Sequence, residues 1–203
     1  MLITFCSKIF LYQSFLLYLY IQFKTIYMTK LQCTRFSLIK NTKPMGTEDL
    51  LTVLNEIASD KYKIQIDEIR KEENPSKSLL KNKLPLFTPT GIFSHRSMAG
   101  LESYNGIICL DIDGVSNPQE LKEKAKMLHW VYAAFITPSG QGLKVLVKTN
   151  ATAETYKQTE ILVAEAFFNI TGSSRDNHCK DIARIQFVSH DPDIYINEHS
   201  VTF

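Results

Sequence analysis

The sequence predicts an α+β fold, a mixed β-sheet with helices on one face, and three observations predict it. Residues 106–113 (GIICLDID) form an apolar run of strand length ending in carboxylates. Residues 131–136 and 143–147 form two more, joined by the turn-rich segment TPSGQG. Helical segments at 118–128 and 152–168 separate or follow these runs. Short apolar runs bounded by turn residues suit buried strands, whereas longer segments with apolar recurrence every three or four residues suit helices lying on a sheet. With a last strand at 185–188, the order strand, helix, strand, strand, helix, strand is that of one α+β domain.

The remaining elements follow in chain order. Residues 1–27 hold 19 apolar residues and only two charges, Lys8 and Lys24. Their apolar core, residues 9–23, is shorter than the roughly 20 residues a spanning helix needs, and no small-residue cleavage site follows it. Residues 1–27 are therefore expected to be an apolar extension outside the fold, read as sequence upstream of a start at Met28, with residues 28–203 as the domain. Residues 32–39 read as a first strand. Thr47, with Glu48 and Asp49 in a first turn, opens a helix whose apolar side is Leu50, Leu51, Leu54 and Ile57. Residues 62–71 and 75–80 read as further helical pieces. Residues 84–93 (LPLFTPTGIF) are extended, because Pro85 and Pro89 exclude helix there.

Composition narrows the class of function. The chain carries 23 Lys+Arg against 21 Asp+Glu, and removal of Lys8 and Lys24 leaves 21 of each, so the domain is neutral and any nucleic-acid contact must come from local patches. The four cysteines (Cys6, Cys33, Cys109, Cys179) are scattered, with no C-x-x-C pair. That pattern fits a reducing cytoplasm and argues against a zinc site. No stable membrane partner is expected.

Three features could carry chemistry. Asp111 and Asp113 end an apolar strand two residues apart, so their side chains share one face. Like charges held together at a sheet end are costly unless a cation sits between them, and Mg²⁺ or Mn²⁺ with nucleotide phosphates is the usual resolution. A solvated Asp-Gly turn is the competing account. Ser139-Gly140-Gln141-Gly142 follows, where two glycines allow close backbone approach to phosphate, or simply make a hairpin turn. Lys144 stands inside the strand beyond it, on the opposite face from Leu143 and Val145. Near the end, Asp176 offers a third acid, with Asp181 as an alternative, and Arg184 a cation for phosphate. His95-Arg96 is a lesser phosphate candidate, read as surface.

Taken together, Asp111-Ile112-Asp113, Ser139-Gly140-x-Gly142-x-Lys144, and Asp176 with Arg184 resemble the virulence-associated E (VirE) N-terminal domain of the archaeo-eukaryotic primase (primase–polymerase) superfamily. LPLFTPTGIF, AAFITPSGQGLKVLV and DIARIQFVSHDPDIYIN extend the resemblance over roughly residues 30–197. It implies a primase catalytic-core-like sheet (an RRM-like half) and nucleotidyl transfer. Asp111, Asp113 and Asp176 would hold Mg²⁺ or Mn²⁺ as catalytic acids, and Lys144 would hold triphosphate with Arg184 assisting. Ser139, Gly140 and Gly142 would form the phosphate-binding loop. The implied partners are nucleoside triphosphates, a single-stranded DNA template and a helicase domain or protein, in the cytoplasm of a bacterial or phage-infected cell, within a mobile-element or phage replication protein. Most of that superfamily has His where this chain has Lys144, and lysine supplies charge but cannot shuttle a proton at neutral pH.

Two alternatives remain open. ICLDIDGV also resembles the first motif of haloacid-dehalogenase-type phosphatases, with Asp111 as nucleophile and Asp113 as acid/base. That motif normally opens its domain, and the phosphatase lysine normally begins a helix. The other alternative is a non-catalytic, truncated primase module that binds single-stranded nucleic acid.

Overall fold

In the computed structural model, which describes residues 30–173 and 181–203, the three apolar runs form one sheet. Strands β1 (Gln32–Phe36) and β2 (Gly46–Asp49) lead into helices α1 (Leu50–Ala58), α2 (Lys63–Lys71) and α3 (Ser76–Lys81). Then come β3 (Leu86–Thr88), β4 (Gly91–Phe93), β5 (Leu101–Tyr104) and β6 (Ile107–Asp113). Helix α4 (Pro118–Lys126), strands β7 (Val131–Ile136) and β8 (Gly142–Lys148), helix α5 (Tyr156–Thr171) and the short strands β9 (Gln186–Phe187) and β10 (Tyr195–Ile196) complete the order. The fold is α+β. Residues Leu31–Phe203 make one unit, and the apolar extension at 1–27 and Asp176 both lie outside the described residues.

Two expectations about the sheet are corrected. It is not mixed: the described strands form sheets of order β2-β1-β3-β9, β10-β7-β8-β6 and β4-β5, and every pairing is antiparallel. A strand–helix–strand passage from β6 through α4 to β7 would make parallel neighbours. Strand β8 inserts between them instead, so both pair antiparallel with it. Nor are helices confined to one face. Ile108, Leu110 and Ile112 pack with Leu121 and Ala125 of α4 and Val163 and Phe167 of α5. Ile107 and Cys109, on the other face of the same strand, pack with Leu54 and Ile57 of α1, Ile66 and Ile69 of α2, and Phe87 of β3. A strand apolar at both parities must be covered on both faces, and the alternation in IICLDID divides its residues between the two cores.

Local boundaries shift for identifiable reasons. Residues 46–49 do not open a helix. They pair with β1, and Asp49 caps α1 by accepting the Leu51 amide at 3.0 Å. Helix α4 is capped by Asn117, whose side chain accepts the Glu120 amide at 3.1 Å. Helix α5 begins at Tyr156 rather than residue 152, and it ends at Gly172 with φ +71°. A left-handed residue there lets the chain leave the helix at little steric cost. Among the described residues no helix is long and apolar enough to cross a membrane.

Candidate functional site

The same alternation that divides the cores sets the site. Asp111 and Asp113 share the face of β6 that carries Ile107 and Cys109, at the end where that face runs out of apolar cover. Directly across the register, Asp111 meets Lys144 and Asp113 meets Gly142. Lys144 stands opposite Phe135 on its other side. Asp111 and Lys144 are each 8% exposed. Lys144 Nζ pairs with Asp111 Oδ2, and Arg184 Nη2 reaches the same oxygen at 3.5 Å. The other carboxylate oxygen, Asp111 Oδ1, is buried without a hydrogen-bond partner among the described residues.

A cavity of about 480 Å³ opens over this cluster. Asp111, Asp113, Lys144 and Arg184 line it, with Asp181, Arg96 and Lys81 adding charge. The structure thus brings together four of the residues expected from sequence. Of the two alternatives for a third acid, Asp181 lies at the cavity and Asp176 falls outside the described residues. Arg96, expected at the surface, lines the cavity while its Nη1 donates to Ile39 O at 2.6 Å.

The glycine loop is placed differently from expectation. Thr137 and Pro138 line the cavity, and Ser139, Gly140 and Gly142 are not among its lining residues. The Ser139 hydroxyl lies 3.1 Å from Thr137 Oγ1. Gly140 (φ +74°) packs beside the Arg70 side chain. Gly142 is required for another reason: a Cβ there would stand 2.6 Å from Ile112 O and 3.0 Å from Asp113 Oδ1. Its lack of a side chain lets β8 lie against the acidic end of β6.

Some contributors carry no evident sequence signal. Arg70, at the end of α2, donates to His190 O at 2.9 Å and reaches Thr137 O at 3.5 Å, so it braces the loop from below. Burial lowers its pKa from the ordinary value. Asp191 holds the same corner. Its carboxylate accepts from the wholly buried Lys122 at 2.7 and 2.8 Å and from the Ile136 amide at 2.9 Å. Gln186 also lines the cavity. Unlike the other two it has a mark in the sequence, a carboxamide inside the apolar run 185–188.

A divalent metal fits this donor set in part. The orphaned Asp111 oxygen and the exposed Asp113 are hard oxygen donors of the kind Mg²⁺ and Mn²⁺ take, and such ions usually keep several water or phosphate ligands. Among the described residues there is no group of three or more His, Cys, Asp or Glu placed to hold a metal ion. The protein itself supplies the cation beside Asp111, through Lys144.

No curated protein and no solved structure matches the chain. A family model does match, over residues 79–196: BT4734-like, N-terminal domain. The matched stretch holds β6, the glycine loop, Lys144, Gln186 and Asp191, more than half of the chain and nearly all of the cavity wall. The chain therefore belongs to the BT4734-like N-terminal domain family.

Proposed function

We propose that the domain binds a nucleoside triphosphate at the Asp111–Lys144 cavity with a divalent metal, as a primase–polymerase-like domain of the VirE N-terminal type. One observation carries this reading: Asp111 is gripped through one oxygen by two cations while its other oxygen stays buried and unpartnered at the cavity. Buried polar atoms without partners cost about 1–3 kcal/mol, so a fold that keeps one at a cavity wall supports a ligand there.

In this reading Lys144 and Arg184 hold phosphate oxygens, Arg184 as a planar fork and Lys144 as a point charge. Asp111 and Asp113 would hold Mg²⁺ or Mn²⁺. When bound, that metal supplies charge neutralisation for the attacking and leaving oxygens of phosphoryl transfer. Phe135 stands beside Lys144 in the sheet and leaves the Asp111–Lys144 pair open on its cavity side. Thr137 and Pro138 shape the wall, and Arg70 holds them in place. Lys144 within β8, not at the start of a helix, favours this reading over the phosphatase alternative.

A second reading rests on the same ion pair. Lys144 already neutralises Asp111, an arrangement suited to a module that binds nucleotide and single-stranded DNA without turning over, beside a helicase partner. Calorimetric titration of Mn²⁺ and ATP into wild type and Asp113→Ala tests the shared claim, with loss of at least one affinity expected. A variant that binds both as wild type does would sink it. Primer extension lost in Asp111→Ala/Asp113→Ala separates the catalytic reading from the binding-only one.

A further inference from the structure

A second orphaned atom belongs to a residue that lines the same cavity. Gln186 is 1% exposed, lines the cavity, and its Oε1 is buried with no hydrogen-bond partner among the described residues. Register fixes where it points. Gln186 stands opposite Phe87 on β3, which packs into the core between the two larger sheets, and Asp111 lies on the face of β6 that borders the same core. Both residues with an unpartnered oxygen therefore border the same core and line one cavity.

Its chemistry differs from that of the ionic cluster. An amide oxygen accepts hydrogen bonds and gains nothing from a phosphate oxygen, which at neutral pH is also an acceptor. It needs an N–H or O–H donor, which a nucleoside offers and a bare phosphate chain does not. Ile39, Ile185 and Phe187 also line the cavity, so uncharged surface is available beside the carboxamide. If position 186 were purely structural, a β-branched apolar residue would suit the strand better and leave no acceptor stranded.

We propose that Gln186 is a specificity-determining residue that accepts a hydrogen bond from the nucleoside half of the bound nucleotide, from a sugar hydroxyl or a base N–H. The proposal rests on the nucleotide-binding reading above. It assigns Asp111, Lys144 and Arg184 to the charged half of the ligand and Gln186 to the uncharged half. A site built to receive a donor discriminates against ligands lacking it, because the acceptor is then left unpaired.

The test is calorimetric titration, with Mn²⁺ present, of ATP, dATP and inorganic triphosphate into wild type and Gln186→Met, together with thermal melting. Gln186→Met should weaken ATP binding about tenfold, leave inorganic triphosphate unchanged and not lower the melting temperature, since an apolar isostere removes a stranded acceptor. A wild-type preference for ATP over dATP that the variant abolishes identifies the 2′-hydroxyl as donor. An equal loss for both nucleotides places the donor elsewhere on the nucleoside. Unchanged ATP affinity in Gln186→Met overturns the proposal, as does a parallel loss of triphosphate or of Mn²⁺ binding alone. If wild type binds neither nucleotide nor triphosphate, the nucleotide reading itself fails, a result distinct from an insensitive variant. Should Gln186→Met not fold, the side-chain amide resonance of Gln186 in wild type decides: it must shift with ATP and stay fixed with triphosphate.

Discussion

Asp111 and Lys144 are directly opposed residues of adjacent antiparallel strands, each nearly buried, and their ion pair is the cation–carboxylate contact around which the cavity is built. Removing one partner of such a pair strands a charge, whereas removing both charges costs much less. Lys144→Met should therefore destabilise the fold by about 3 kcal/mol, with Arg184 supplying only partial compensation at 3.5 Å. Lys144→Met/Asp111→Asn should recover most of that loss without restoring nucleotide affinity. Urea denaturation reads the first effect and calorimetry the second. Equal stability in the single and double variants would show that the pair is not energetically coupled.

Gly142 should tolerate no side chain. In Gly142→Ala the added Cβ meets the Ile112 carbonyl oxygen at 2.6 Å, a backbone contact that cannot rotate away. The β6–β8 pairing must open at its acidic end, at a cost of about 1–3 kcal/mol and with loss of Mn²⁺ and nucleotide binding. Gly140→Ala meets only the Arg70 side chain at 3.6 Å and pays mainly for its left-handed backbone, about 1 kcal/mol. The ordering of the two variants in chemical denaturation is the check.

Lys122 and Asp191 form a buried pair whose carboxylate also receives the Ile136 amide at the end of β7. Lys122→Met should cost about 3–5 kcal/mol, because the Asp191 charge is then left without its cation. Adding Asp191→Asn should restore much of it, since a carboxamide oxygen can still accept from Ile136. Hydrogen exchange at Ile136 should rise in Lys122→Met and return toward wild type in the double variant.

Glu56 makes part of the stability depend on pH. Burial alone would raise its pKa, but hydrogen bonds from Lys61, Tyr62 and Arg35 outweigh burial and hold it below its ordinary value of 4.5. A carboxylate depressed by folding contributes stability that is fully present above its unfolded pKa and is lost as pH falls through the folded one. Stability should accordingly decline below about pH 4.5, and Glu56→Gln should flatten that part of the profile while lowering stability at neutral pH. Melting temperatures from pH 2 to 7 provide the comparison.

Much of this site is written in local pattern. The alternation of GIICLDID places Asp111 and Asp113 together on one face, and the alternation of GLKVLVK sets Lys144 apart from Leu143 and Val145. The positions of the principal helices and strands also follow from residue spacing. The mixed sheet and single helical layer expected from sequence are not what forms: the pairings are antiparallel and β6 is covered on both faces. Strand order is a choice among long-range pairings, and local preference says nothing about whether β8 lies beside β7 or between β6 and β7.

That one insertion decides the rest. It puts Lys144 opposite Asp111, so the buried carboxylate meets a protein cation, a partner that the spacing of acids alone could not reveal. Packing of both faces of β6 then draws α1, α2 and β3 over the acidic side, and with them come Arg70 beneath the glycine loop and Gln186 across the cleft. The sequence by itself determined the α+β class, the shared face of the two acids and the cation set within β8. Only the tertiary structure decided which charges compensate one another and which buried oxygens stay without a hydrogen-bond partner among the described residues. Those depend on burial of apolar surface between segments distant in the chain, and that driving force is non-directional until strand register fixes it.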